Sequence, residues 1–205
     1  MKAVVITPFV VAAVVAATAC GHDPDQHSAT PATGTSDISS SAPTLADSAP
    51  VDLARNSFAV SPQDVLAAAQ EKFAGTLTKL ELEPEGVSPR TSYVYKVELM
   101  SDQEKYTTQL AADSGAVISE RKENLDADER DTERRRDAVD FGKAVPLNEA
   151  MSTATRAHPG RVGKWKIEGK DNTAKYEFDI YGPADADEDH EVQVDAYSGQ
   201  LATAG

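Results

Sequence analysis

The chain has a single cysteine, a single tryptophan and far fewer bases than acids, 20 lysines and arginines against 34 aspartates and glutamates, for a net charge of −14. One thiol, at Cys20, excludes an internal disulfide. The acidity argues against nucleic acid and anionic lipid head groups as direct partners, because both repel a negative surface. No Gly-x-Ser-x-Gly elbow, phosphate-cradling glycine loop or paired His/Cys metal spacing occurs. Carboxylates are plentiful but fall in charged segments that read as wet, where general acid catalysis at neutral pH is poor. The chain is therefore expected to be no enzyme and to need no cofactor. Its longest apolar run, Ala3 to Ala17 with a break at Thr7-Pro8, is too short to span a bilayer as a stable helix.

That run follows Met1-Lys2 and ends in Ala17-Thr18-Ala19-Cys20-Gly21, the layout of an export signal over residues 1–19. Cys20 directly after Ala-Thr-Ala resembles the lipobox of bacterial lipoproteins, with Ala17 where the usual box has leucine. The resemblance implies cleavage before Cys20, acylation of its thiol and new amine, and anchoring to the outer face of the cell membrane. The alternative is a secreted protein cut near the same place, with Cys20 left as a free thiol. Residues 20–56, rich in Ser, Thr, Ala, Pro and Asp without period, cannot bury enough apolar surface to offset their ordering entropy and read as a flexible tether. A random chain of that length reaches roughly 30–37 Å.

The rest is an internal duplication. A helix-forming stretch, alternating strands and a Ser-Gly turn run from Ser61 to Ile118 and again from Pro146 to Leu201. Ser114-Gly115 matches Ser198-Gly199, and Tyr95/Val97/Leu99 matches Tyr176/Phe178/Ile180. In the first copy Ser61-Pro62-Gln63-Asp64 has the residues of a helix start, Val65, Leu66, Ala69 and Phe73 share a face, and Gly75 ends the helix. In the second, Ala150, Met151, Ala154 and Ala157 line a helix stopped by His158-Pro159-Gly160. Trp165, Tyr176 and Phe178 fall on apolar strand faces, while Lys166, Glu177, Asp179 and Asp195 alternate with them. The fold class expected is α+β: two tandem units (57–122 and 143–205), each with one helix on a three- to four-stranded antiparallel sheet that is bare on its other face. Units so small are marginal alone, so the two are expected to pack together. The charged stretch between them, 123–142, reads as a linker carrying a short solvated helix, and its Arg134-Arg135-Arg136 run is neutralised by surrounding acids.

The sequence Val145-Pro-Leu-Asn-Glu-Ala-Met, the turn Ala157-His-Pro-Gly160, Lys175-Tyr-Glu-Phe-Asp-Ile180 and Val192-Gln-Val-Asp-Ala-Tyr-Ser-Gly-Gln-Leu201 resemble a PepSY domain. The first copy is similar, with Phe73-Ala74-Gly75 for the Pro-Gly turn and Leu110-Ala-Ala-Asp-Ser-Gly115 for the last motif. The resemblance implies a helix on an antiparallel sheet. The family occurs in propeptides of thermolysin-type metalloproteases and in bacterial surface lipoproteins, and brings no catalytic residues.

Few side chains stand out as site candidates. Asp185, Asp187, Asp189 and His190 imitate the start of a calcium loop, but His190 holds the glycine position and Ala196 the final glutamate position, so a solvated hairpin loop is the better reading. His22 and His27 belong to the tether, and His158 suits a helix C-terminus structurally. Tyr181 and Tyr197 fall out of register with the apolar face and are candidates for partner contact. The function expected is a surface-tethered protein-binding module. It would take an extended peptide along an open sheet edge, and its partner would be a secreted or membrane-associated protease or another envelope protein. The alternative is an envelope sensor for a small molecule or divalent cation, or a spacer without a specific ligand.

Overall fold

The computed structural model describes residues 51–86, 92–127, 129–130, 132–182 and 189–202. The signal, Cys20, His22, His27, Asp185 and Asp187 lie outside them. The first repeat consists of α1 (Pro62–Lys72), β1 (Thr76–Glu85), β2 (Ser92–Met100), β3 (Glu104–Ala111) and β4 (Val117–Asn124). A one-turn helix, α2 (Glu133–Arg136), leads to α3 (Leu147–Ala157), β5 (Arg161–Lys170), β6 (Thr173–Tyr181) and β7 (Asp189–Asp195). All strand pairs are antiparallel and form one seven-stranded sheet in the order β4-β3-β2-β1-β5-β6-β7. The expected α+β class holds, and the two repeats do pack together, through their first strands.

The duplication extends to single hydrogen bonds. Tyr95 donates its hydroxyl to the Val60 carbonyl at 2.9 Å, and the equivalent Tyr176 donates to Val145 at 2.9 Å, each tying a strand to the residue leading into its helix. Val60 N–H reaches Ala112 O and Val145 N–H reaches Ala196 O. Gly115 and Gly199 both adopt positive φ, 70° and 69°, beside Val60 and Val145 respectively. Both first strands have a bulge at equivalent places, Leu77/Lys79 and Val162/Lys164. Where β1 meets β5, Leu80 pairs with Ile167 and Leu82 with Trp165. In repeat numbering each therefore meets the other's counterpart, so a pseudo-two-fold axis passes through the Glu81–Lys166 pair.

Two sequence expectations change. The charged linker does carry a short helix, Glu133–Arg136, but the strand ahead of it, Val117–Asn124, runs past the expected repeat boundary at 122 and is held by pairing to β3. Tertiary pairing overrides a local pattern that lacks apolar alternation. Residues 51–56, read from sequence as the end of a tether, are instead packed against the fold. Val51 and Leu53 pack on the core, Leu53 N–H donates to Val162 O at 2.9 Å, and the Asp52 carboxylate accepts from Val162 N–H at 3.2 Å. The far side of the molecule repeats this: Val139, buried, donates its N–H to Leu77 O at 2.8 Å. Each repeat thus sends the segment ahead of its helix across to the first strand of the other, forming two reciprocal clasps.

Candidate functional site

The helices cover one face of the sheet, α1 over β2 and α3 over β6 and β7. Among the described residues no helix covers the other face, which carries a lattice of charge. Reading across the paired strands, one row runs Gln109, Lys96, Glu81, Lys166, Glu177, Gln193, and the next runs Thr107, Glu98, Lys79, Glu168, Lys175, Asp195. Opposite charges stand side by side along the middle of both rows, so neighbouring strands attract across the seams that join β2, β1, β5 and β6. Lys166 sits 2.6 Å from Glu177, and Lys96 pairs with Glu83.

Glu81 departs from the wet alternation read in the sequence. It is 3% exposed, with Lys164 at 2.5 Å and Lys79 at 3.1 Å. Those lysines are equivalent in the two repeats and clasp the carboxylate from either side of the axis. Burial pushes the Glu81 carboxyl up, but the Lys164 hydrogen bond and the Lys79 charge outweigh it and hold it below the usual range.

The edge strands differ. In the first repeat β3 is paired along its length by β4, from Glu104–Asn124 to Leu110–Val117. The equivalent strand β7 has its Cα partners in β6. On its outer side the described contacts are at its C-terminal end: the Val194–Leu201 bridge, Ala202 N–H to Gln193 O at 2.9 Å, and Asp195 N–H to Gln200 O at 2.8 Å. By the two-residue alternation of an antiparallel ladder, the N–H and C=O of Glu191 and Asp189 also point outward. Acids surround this edge. Burial first raises the Glu177 and Asp179 carboxyls, Lys166 and Lys164 respectively oppose it, and Glu191 beside both, with Asp189 beside Asp179, adds to the rise.

The sequence candidates are scattered. Tyr181 lies at one end of β6, half-buried, with the Arg161 guanidinium 4.3 Å from its ring centroid. Tyr197 lies beyond the other end, where its hydroxyl accepts from Asp140 N–H at 3.1 Å. The eight steps of β6 separate the two by roughly 25 Å, so they do not form one patch. Trp165 is buried at the repeat seam, edge-on to Tyr95 at 6.3 Å. No group of three or more potential metal ligands occurs among the described residues. Sequence reading kept His158 and His190 apart, but the structure brings their rings together, with centroids 4.1 Å apart and planes tilted by 47°. The duplication was the signal that could have paired them, since they occupy the positions of Phe73 and Tyr106. A cavity of about 180 Å³ lies under the first clasp, lined by Leu53, Phe58, Leu82, Tyr95, Met151 and Trp165.

Known proteins fit this picture. The crystal structure of a candidate lipoprotein from Clostridium difficile 630 matches with a TM-score of 0.65 at 21% identity, over 74% of this chain and 96% of that one. At that identity the likeness shows the fold alone. No curated protein matches the chain. The model of the family described as "Peptidase propeptide and YPEB domain" matches residues 59–121 and again 144–202. Its two matches coincide with the two halves of the sheet, and the chain belongs to the PepSY family.

Proposed function

We propose that the protein is a non-enzymatic binding module, exported and held on the outer face of the membrane by lipid on Cys20, that takes an extended peptide of an envelope protein along the outer edge of β7. The observation that carries the reading is the asymmetry between equivalent strands: β3 has a full-length outer neighbour in β4, whereas the Asp189–Glu191 end of β7 has no described one. A strand added there would gain main-chain hydrogen bonds in the geometry β4 already demonstrates. The acids at that edge favour a basic segment. The family's link to peptidase propeptides makes a secreted or membrane-associated protease the partner class we favour.

Proline at Glu191 tests this mode, because it removes an outward N–H and leaves the β6 ladder intact. Wild type and Glu191→Gln should recover a stoichiometric envelope partner, and Glu191→Pro should lose it. Equal recovery by all three variants refutes edge addition, and no recovery by any refutes the binding module. Anchoring has its own check: Cys20→Ala should shift the protein from the membrane to the soluble fraction, and the wild-type N-terminal peptide should carry acyl mass.

A further inference from the structure

The His158–His190 pair has a counterpart that explains why it is unusual. In the first repeat the equivalent positions, the residue ending the helix and the third-strand residue opposite Leu99 (the counterpart of Ile180), hold Phe73 and Tyr106, stacked at 5.3 Å. That pair is buried, at 7% and 2% exposure, and Lys122 of β4 lies over both rings, 5.4 and 5.8 Å from their centroids. In the second repeat no described strand lies where Lys122 would be, so His158 is half-buried and His190 exposed. The fold accepts an apolar aromatic pair here, so packing alone does not call for imidazoles. His158 is fixed by its backbone, whose N–H caps α3 by donating to Ala154 O at 2.9 Å. His190 is fixed by its register opposite Ile180. Two imidazoles from different elements thus lie side by side at an accessible surface, both anchored through their backbones, with ring planes 47° apart.

We propose that His158 and His190 bind a borderline transition-metal cation such as Zn²⁺, with solvent completing the coordination shell. Imidazole suits zinc, copper and nickel, whereas calcium and magnesium require oxygen ligands. Zinc takes imidazole nitrogen at about 2.0–2.1 Å, so the rings must open by roughly 1 Å, which side-chain rotation at the exposed His190 provides. The bound ion would staple the end of α3 to the edge strand. His190 closes the acidic hairpin run, but the site uses its imidazole rather than the run's carboxylates and does not depend on the peptide-binding reading.

The test is a titration of the full-length chain with ZnCl₂, read by calorimetry and by the imidazole resonances of the two histidines. His22→Ala and His27→Ala are introduced throughout so that the tether histidines do not contribute. One equivalent of Zn²⁺ is expected to bind and to shift both resonances, while CaCl₂ leaves them in place. His158→Phe or His190→Tyr alone should weaken binding at least tenfold. The double variant, which copies the first repeat, should keep the metal-free thermal midpoint and lose the equivalent. If that variant fails to fold, His190→Gln replaces it. Zinc uptake that survives loss of the imidazoles, or wild-type resonances unmoved by millimolar Zn²⁺, would overturn the proposal.

Discussion

Tyr95 and Tyr176 show how much a duplicated residue can carry. Each buries its ring and donates its hydroxyl to the carbonyl just ahead of a helix, at 2.9 Å. Burial, with a smaller push from Asp64, raises the Tyr95 phenol to about 12, and burial raises Tyr176 to about 12. An unfolded tyrosine titrates near 10, so each folded tyrosine contributes stability that is full below that value and is lost as pH rises towards 12, roughly 2–3 kcal/mol per residue. Tyr95→Phe or Tyr176→Phe should cost about 1 kcal/mol at pH 7 through the stranded carbonyl, and each should flatten the alkaline fall. Urea midpoints at pH 7 and pH 11 would check both effects. Glu81 has the opposite sign. Its folded carboxyl lies below the ordinary value, so its contribution is present above about pH 4.3 and is lost as pH falls through the lower folded value. Glu81→Gln should cost about 1–3 kcal/mol near neutrality, because Lys79 and Lys164 lose their shared partner but can still reach water. The gap between wild type and variant should narrow as the acid limb is descended. A constant gap from pH 7 to pH 3 would mean that the carboxylate's charge is not what the two lysines hold.

The helices are equivalent in position but not in how they begin. Ser61 accepts from Asp64 N–H at 3.2 Å, and the Asp64 carboxylate accepts from Ser61 N–H at 3.4 Å, a reciprocal cap. At the start of α3 stands Pro146, with no side-chain cap. Ser61→Ala should therefore destabilise the protein by about 1 kcal/mol, measurable in the urea midpoint, whereas Pro146→Ala should change it much less. The start of α1 was legible because capping depends on residues three apart. The alternating strands β2, β5 and β6 were legible for a similar reason, since one face is buried and the other is a charge lattice. Three things were not. β4 has no apolar alternation, because its neighbour β3 rather than the core makes it a strand. The clasps hang on single apolar residues, Leu53 and Val139, in polar surroundings, and one such residue has no period. The contact of His158 with His190 depends on register across the sheet, which local spacing does not encode, although the repeat alignment with Phe73 and Tyr106 carried the hint.

At the scale of the molecule, the pseudo-two-fold axis explains why two marginal units make one stable body. A residue on such an axis meets its own counterpart, so identical repeats would set like charges together there. Here Glu81 meets Lys166, and the equivalents Lys79 and Lys164 both turn to Glu81 while Lys166 turns to Glu177. The seam is therefore complementary between unlike repeats, and pairing two copies of either one would oppose carboxylate to carboxylate or ammonium to ammonium. The clasps add a second dependence, since Leu53 leads the first repeat but bonds to β5, and Val139 leads the second but bonds to β1. Unfolding should accordingly be a single transition in which both halves are lost together. Trp165, the only tryptophan, is buried at the seam and reports on it directly. Its emission and the far-ultraviolet circular dichroism should change at the same urea concentration. Leu53→Ala, which empties the first clasp above Trp165, should lower stability by about 2–4 kcal/mol. It should do so without splitting the transition, because Val139 still holds the opposite side. Two separated transitions in the wild type, with the tryptophan signal following only one of them, would show that the repeats fold independently and that the shared sheet does not couple them.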